Sequence, residues 1–241
     1  MMKTNVLGVL FDNLTMDEAL DRAEELMTSG MGHYVVTPNP EFIQTAKKDE
    51  EFRSLLNSAD LTVADGIGVI YAAKILGRPL KEKVTGIGLA SGLCERMAAK
   101  KQKLFLLGAK PGVAEKAGEE LRTRYPGLVI CGVHDGYFTD DAPVVEQIRR
   151  SEADVVFVCL GAPKQEKWMV RNGTACGAKL LLGLGGSLDI FSGEVKRAPE
   201  SWQKLGLEWL YRLIKQPSRF GRMARLPLVL VDAVVARISG K

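Results

Sequence analysis

Between residues 103 and 184 the chain alternates in a way that leaves few folds open. Four continuous apolar runs, Lys103–Leu107, Leu128–Val133, Val155–Leu160 and Lys179–Leu184, enclose three amphipathic stretches, Val113–Tyr125, Ala142–Arg150 and Gln165–Asn172. A run such as Val155-Val156-Phe157-Val158-Cys159-Leu160 has no polar alternate positions. It needs cover on both faces, as a parallel strand between two helical layers has. Repeated βα units of this kind predict a Rossmann-like, doubly wound α/β sheet that is mostly parallel.

The first hundred residues read in the same style. Asn5–Phe11, Tyr34–Thr37 and Leu61–Ala64 are predicted strands; Thr15–Ser29, Pro40–Asn57, Gly66–Leu76 and Gly88–Lys100 are predicted helices. Thr15 with Glu18 three residues on forms a capping-box pattern. After Asp189 the pattern changes. Phe191–Pro199 reads as a loop and Glu200–Ile214 as an amphipathic helix. Arg219, Arg222 and Arg225 then recur every third residue, before the apolar stretch Leu226–Ile238. That stretch is too short to span a bilayer and suits lying on one or packing on the body.

A length of 241 residues allows one large domain with an appendage. The division is placed at 1–195 for the α/β body and 196–241 for a basic helical appendage. From Lys196 onward ten Lys/Arg face three acids, +7 in a chain of net +4, so residues 1–195 carry −3. A polyanion or an anionic membrane surface is the partner such a tail suits; nucleic acid is not expected. The N-terminus lacks the form of a signal peptide, and a cytoplasmic location is expected. Cys94, Cys131, Cys159 and Cys176 form no CxxC pair and read as buried thiols. With only His33 and His134, schemes built on several histidines are not expected.

In a doubly wound sheet, ligands sit beyond the carboxyl ends of the strands. Thr37-Pro38-Asn39-Pro40 offers polar side chains to a sugar or nucleotide, and Asn39 before Pro40 is equally a helix cap. Asp65 in Ala64-Asp65-Gly66-Ile67-Gly68 is placed as a general base or as a cap. The turn at Gly108 can hold phosphate on backbone N–H groups, although no GxGxxG is present. Gly161-Ala162-Pro163-Lys164-Gln165-Glu166 groups Gly161, Lys164 and Gln165 at a helix start. Gly136 and Tyr137 put a ring beside a turn, to stack on a base or to pack inward. Asp189 follows Gly185-Gly186-Ser187-Leu188 and could accept from a uracil N–H or ribose, or cap the turn. No D-x-D is present, so neutralising a leaving diphosphate falls to Lys, Arg and helix N-termini, with no metal and no cofactor expected.

These stretches, together with Val84-Thr85-Gly86, Arg197-Ala198-Pro199, Gly206-Leu207-Glu208-Trp209 and Arg212-Leu213, resemble in order and spacing the WecG/TagA/CpsF glycosyltransferases over nearly the whole chain. The nearest likeness is to the TagA type. The resemblance implies an inverting, metal-independent transfer of N-acetylmannosamine from a UDP-sugar donor to a polyprenyl-diphosphate-linked N-acetylglucosamine acceptor. It further implies a site at the inner face of the bacterial cytoplasmic membrane, in wall teichoic acid synthesis. By position it makes Asp65 the base, with Thr37 and Gln165 at the reacting centre. Asn39 falls by the sugar and Tyr137 and Asp189 by the uridine. Arg212, Arg219 and Arg222 fall on the diphosphate, with Lys83 where the family usually has arginine. Gly88 stands where the family usually has Asp.

Other readings compete with this one. A related transferase could use the uronic acid of N-acetylmannosamine or another hexose. An NAD-dependent oxidoreductase lacks its glycine fingerprint. A non-catalytic membrane scaffold would leave the polar strand ends without purpose. Off the membrane, the apolar tail face predicts burial by homo-oligomerisation.

Overall fold

A computed structural model describes residues 3–199, 201–202, 208–215 and 225–240. Its centre is a six-stranded parallel sheet in the order β4-β3-β8-β7-β5-β6. The strands are β3 His33–Val36, β4 Leu61–Thr62, β5 Lys103–Gly108, β6 Val129–His134, β7 Val155–Cys159 and β8 Leu180–Gly183. Side chains alternate across the pleat. Leu104 and Leu106 of β5 join Phe157 and Leu182 in a core on one face. Phe105 and Leu107 join Val156, Val158 and Leu181 on the other.

The first face is covered by α1 Met16–Ser29, α5 Gly86–Lys100, α6 Val113–Arg124 and the short α9 Ser187–Phe191. The second carries α2 Pro40–Ala46, α3 Glu50–Asn57, α4 Ile67–Ile75, α7 Asp141–Ser151 and α8 Lys164–Asn172. The doubly wound reading therefore holds.

Two predicted elements divide. Asn5–Phe11 is a hairpin, β1 Lys3–Val6 and β2 Val9–Asp12, paired antiparallel apart from the main sheet. Leu7 and Gly8 both have positive φ, 54° and 92°, as a tight hairpin turn requires; the Asn5 side chain accepts from Gly8 N–H at 2.8 Å. The predicted helix Pro40–Asn57 breaks at Lys47–Asp49, because the Asp49 carboxylate accepts from Phe52 N–H at 2.9 Å and caps a new helix. A short helix that was not expected, α9, ends at Phe191 where the expected loop begins, and α5 starts at Gly86 because Thr85 caps it through Gly88 N–H.

The C-terminal helix Arg225–Ile238 packs on α4 and α2. Val229 and Ala233 are fully buried, while Leu228, Val231, Val235 and Ile238 face outward. Asp232 accepts from Gln44 Nε2 and Lys47 Nζ, both at 2.7 Å, and Arg237 donates to the Leu76 carbonyl. No described helix is long and apolar enough to cross a membrane.

Candidate active site

A cleft of about 1050 Å³ opens over the carboxyl ends of the strands. Thr37, Asn39, Asp65, Lys83, Gly136, Tyr137, Gly161, Gln165 and Asp189 all line it. Its volume stands at the top of the range for small-ligand sites, enough for two substrates side by side.

Asp65 follows β4, held where its backbone N–H donates to the Pro38 carbonyl at 3.1 Å. Its Oδ2 accepts from Gly86 N–H at 3.0 Å, at the start of α5, where the helix dipole favours a carboxylate. Thr37 is buried and donates from Oγ1 to the Gly183 carbonyl at 3.1 Å. A β-carbon on Gly86 would lie 3.0 Å from that Oγ1, so glycine lets the three segments close on one another. Asn39 does cap α2, with Oδ1 accepting from Glu41 and Phe42 N–H. Its amide nitrogen makes no hydrogen bond among the described residues, and the residue also lines the cleft. The cap reading of Asn39 holds, and its place in the cleft lining leaves a ligand contact open to it.

Gln165 is almost fully buried. Its Oε1 accepts from Gly185 N–H at 2.9 Å and its Nε2 donates to Glu166 Oε1 at 2.7 Å. It thus ties the end of β7 to the loop after β8. Burial pushes the Glu166 carboxyl up to about 7, and its Oε2 has no hydrogen-bond partner. Glu166 was not singled out from sequence, and it is fully buried.

At the other end, Tyr137 is 72% exposed, so its ring stands free at the rim instead of packing inward. Its N–H donates to Asp135 Oδ1 at 2.7 Å, and Gly136 N–H donates to the Ala109 carbonyl at 2.9 Å. Lys164 bridges the two loops: Nζ donates to the Gly136 carbonyl at 3.1 Å and lies 4.8 Å from the Phe138 ring centre. Asp189 sits in the first turn of α9.

Gly108 departs from expectation. It does not line the cleft. Its φ is +126°, and a β-carbon there would lie 2.3 Å from the Cys159 carbonyl oxygen; it is a point of close strand packing. Ala109 and Lys110, just beyond, are the lining residues. Lys110, Thr85 and Ile87 also line the cleft and were not singled out from sequence. Thr85 before an apolar-periodic run was the available cap signal. Gly88 leaves no free space, since a β-carbon would meet Thr85 Oγ1 at 2.8 Å and Met16 Cε at 2.9 Å. Arg212 lies on the helix Glu208–Lys215, its side chain outside the described residues, as are Arg219 and Arg222 altogether. His33 pairs with Asp60 at the opposite edge of the sheet. Burial pushes the Cys94 and Cys159 thiols up to about 12, which leaves them unreactive.

The model of the glycosyl transferase WecG/TagA/CpsF family matches residues 4–241. The chain belongs to this family. Among its relatives is the N-acetylglucosaminyldiphosphoundecaprenol N-acetyl-beta-D-mannosaminyltransferase of Staphylococcus aureus (strain MRSA252), 35% identical over 98% of this chain and 93% of the relative. The enzyme of the same name from Bacillus spizizenii is 38% identical over 81% of this chain and 76% of its own. As a WecG/TagA/CpsF glycosyltransferase, the chain presents its family motifs around one opening: Thr37-Pro38-Asn39, Asp65-Gly66, Gly136-Tyr137 and the Gly161–Gln165 turn.

Proposed function

We propose that this transferase moves N-acetylmannosamine from UDP to a hydroxyl of polyprenyl-diphosphate-linked N-acetylglucosamine. The observation that carries the reading is Asp65: a carboxylate on the cleft floor, oriented by Gly86 N–H at 3.0 Å, beside the buried Thr37. The Staphylococcus aureus relative, which matches nearly the full chain, is named for that sugar and that lipid acceptor.

Uridine stacks on Tyr137 and meets Asp189, with the donor sugar toward Thr37, Asn39 and Gln165. Asp65 takes the proton from the acceptor hydroxyl as its oxygen attacks the anomeric carbon on the face opposite UDP. The bond from that carbon to the phosphate oxygen breaks, and its electron pair leaves with UDP, giving inversion. Lys83 and Lys110 line the cleft without an acidic partner among the described residues and neutralise the leaving diphosphate without a metal ion, joined by Arg212, Arg219 and Arg222; Lys164, which does not line the cleft, holds the Gly136 loop in place.

The outward row Leu228, Val231, Val235 and Ile238 rests on the cytoplasmic face of the membrane that holds the acceptor. Away from lipid, self-association covers it.

The test is UDP release by the full chain with UDP-N-acetylmannosamine and a short-chain lipid-diphosphate N-acetylglucosamine, in EDTA. Acceptor-dependent release that persists in EDTA is expected. Release only with another UDP-sugar would reassign the donor. Silence with every donor would leave a membrane scaffold.

A further inference from the structure

A second groove, about 380 Å³, leaves the cleft at Ile87 and Ile190, which line both cavities. It starts one residue from Gly86, whose N–H holds Asp65. It runs along α5 to Ser91, one helical turn and ~6 Å further on, between α5 and the irregular segment after α9. Its near part is apolar, with Ile87, Ile190 and the buried Phe191. Its far part is cationic, with Arg124, Lys196 and Arg197.

These charges stand apart from their surroundings. Further along α5, Arg96 is paired with Asp21 and Glu24, and Lys100 with Glu24. On α6, Lys116 is paired with Glu194 at 2.7 Å. Arg124 and Lys196 have no acidic partner among the described residues. Arg197 lies 3.6 Å from Glu208, with a buried Nε that makes no hydrogen bond. Two cations without an acidic partner beside Arg197 in one groove favour a multiply charged anion, and guanidinium forks match phosphate oxygens.

We propose that this groove seats the diphosphate of the acceptor, with the acceptor sugar over Ile87 and Ile190 and its hydroxyl at Asp65. The proposal rests on the transferase reading above. The order of the lining supports it: the apolar Ile87 and Ile190, shared with the cleft, come before the cationic Arg124, Lys196 and Arg197. The donor diphosphate has its own lysines, Lys83 and Lys110, which line the cleft, so the two anions do not compete for one set of charges.

The experiment compares the full chain with Arg124→Ala/Lys196→Ala, two exposed positions, and with the charge-keeping Arg124→Lys. Transfer is measured with a short-chain lipid-diphosphate N-acetylglucosamine and with an alkyl N-acetylglucosamine of equal chain length and no phosphate. Direct binding of the diphosphate acceptor is measured by calorimetry. The double variant is expected to raise KM and Kd for the diphosphate acceptor at least tenfold. The KM for UDP-sugar and the turnover of the phosphate-free acceptor stay unchanged, and Arg124→Lys recovers most of the loss. Unchanged KM and Kd for the diphosphate acceptor would overturn the proposal, as would a rise confined to the UDP-sugar. If the wild-type chain transfers nothing yet binds the diphosphate acceptor through Arg124 and Lys196, the transferase reading fails and the groove stands.

Discussion

Gly86 donates its backbone N–H to Asp65 Oδ2 at 3.0 Å, which fixes the carboxylate at the start of α5. Asp65→Asn keeps the shape and removes the basicity. Turnover is expected to fall roughly 10²–10⁴-fold, with UDP affinity by calorimetry nearly unchanged. An Asp65→Asn enzyme of wild-type activity would remove Asp65 from the reaction.

Tyr137 stands exposed at the rim, and a ring that packs on nothing is free to stack on a base. Tyr137→Ala should weaken UDP binding about tenfold, as the loss of ~1–3 kcal/mol of stacking implies. Tyr137→Phe should bind as the parent does. Equal affinity in all three would place the uracil elsewhere.

Glu166 has its carboxyl raised from 4.5 to about 7 by burial. Between those values the folded state holds a proton that the unfolded chain has released. Stability from this group is therefore present below pH 4.5 and declines as pH rises to about 7, by up to ~3 kcal/mol. Burial first, and then the charges of Asp60 and Glu166, push the Tyr34 hydroxyl up to about 12. Urea denaturation of Glu166→Gln against the parent should show the variant gaining relative stability from pH 5 to pH 8. Parallel curves would mean that Glu166 titrates as an ordinary carboxyl.

Gly108 lies against β7 with room for no side chain. Gly108→Ala combines a clash against the Cys159 carbonyl with a φ that L-residues rarely adopt, and should cost more than ~2 kcal/mol. A variant with an unchanged unfolding midpoint would contradict this packing.

Serine at Leu228, Val231, Val235 and Ile238 leaves Val229 and Ala233 in the core. Thermal unfolding should change little, while sedimentation with anionic vesicles falls several-fold. Undiminished sedimentation would move the lipid contact to another surface.

The parallel sheet was readable because both its faces are covered, which turns each strand into an unbroken apolar run. Elements set by one side-chain hydrogen bond were not. Asp49 splits a helix by capping Phe52 N–H, and hydrophobic periodicity carries no trace of that. Leu7-Gly8 turns a hairpin inside an apolar run whose glycine was the only punctuation. At the site, Asp65, Thr37 and Gln165 were legible from their place after strands. Lys110 was not singled out, because its neighbour Gly108 had the look of the ligand-binding glycine. Which glycine serves packing and which serves a ligand depends on the distance to a neighbouring strand, and this is a tertiary quantity.

The α2 helix begins at the Asn39 cap in the cleft and ends beside Gln44 and Lys47, which grip Asp232 of the C-terminal helix. Seven residues span ~10 Å, a rod stiff over that length. A tilt of the C-terminal helix that preserves those two contacts turns the rod and swings Asn39 with it. The lever's long arm lies on the protein's outer surface and its short arm reaches into the cleft.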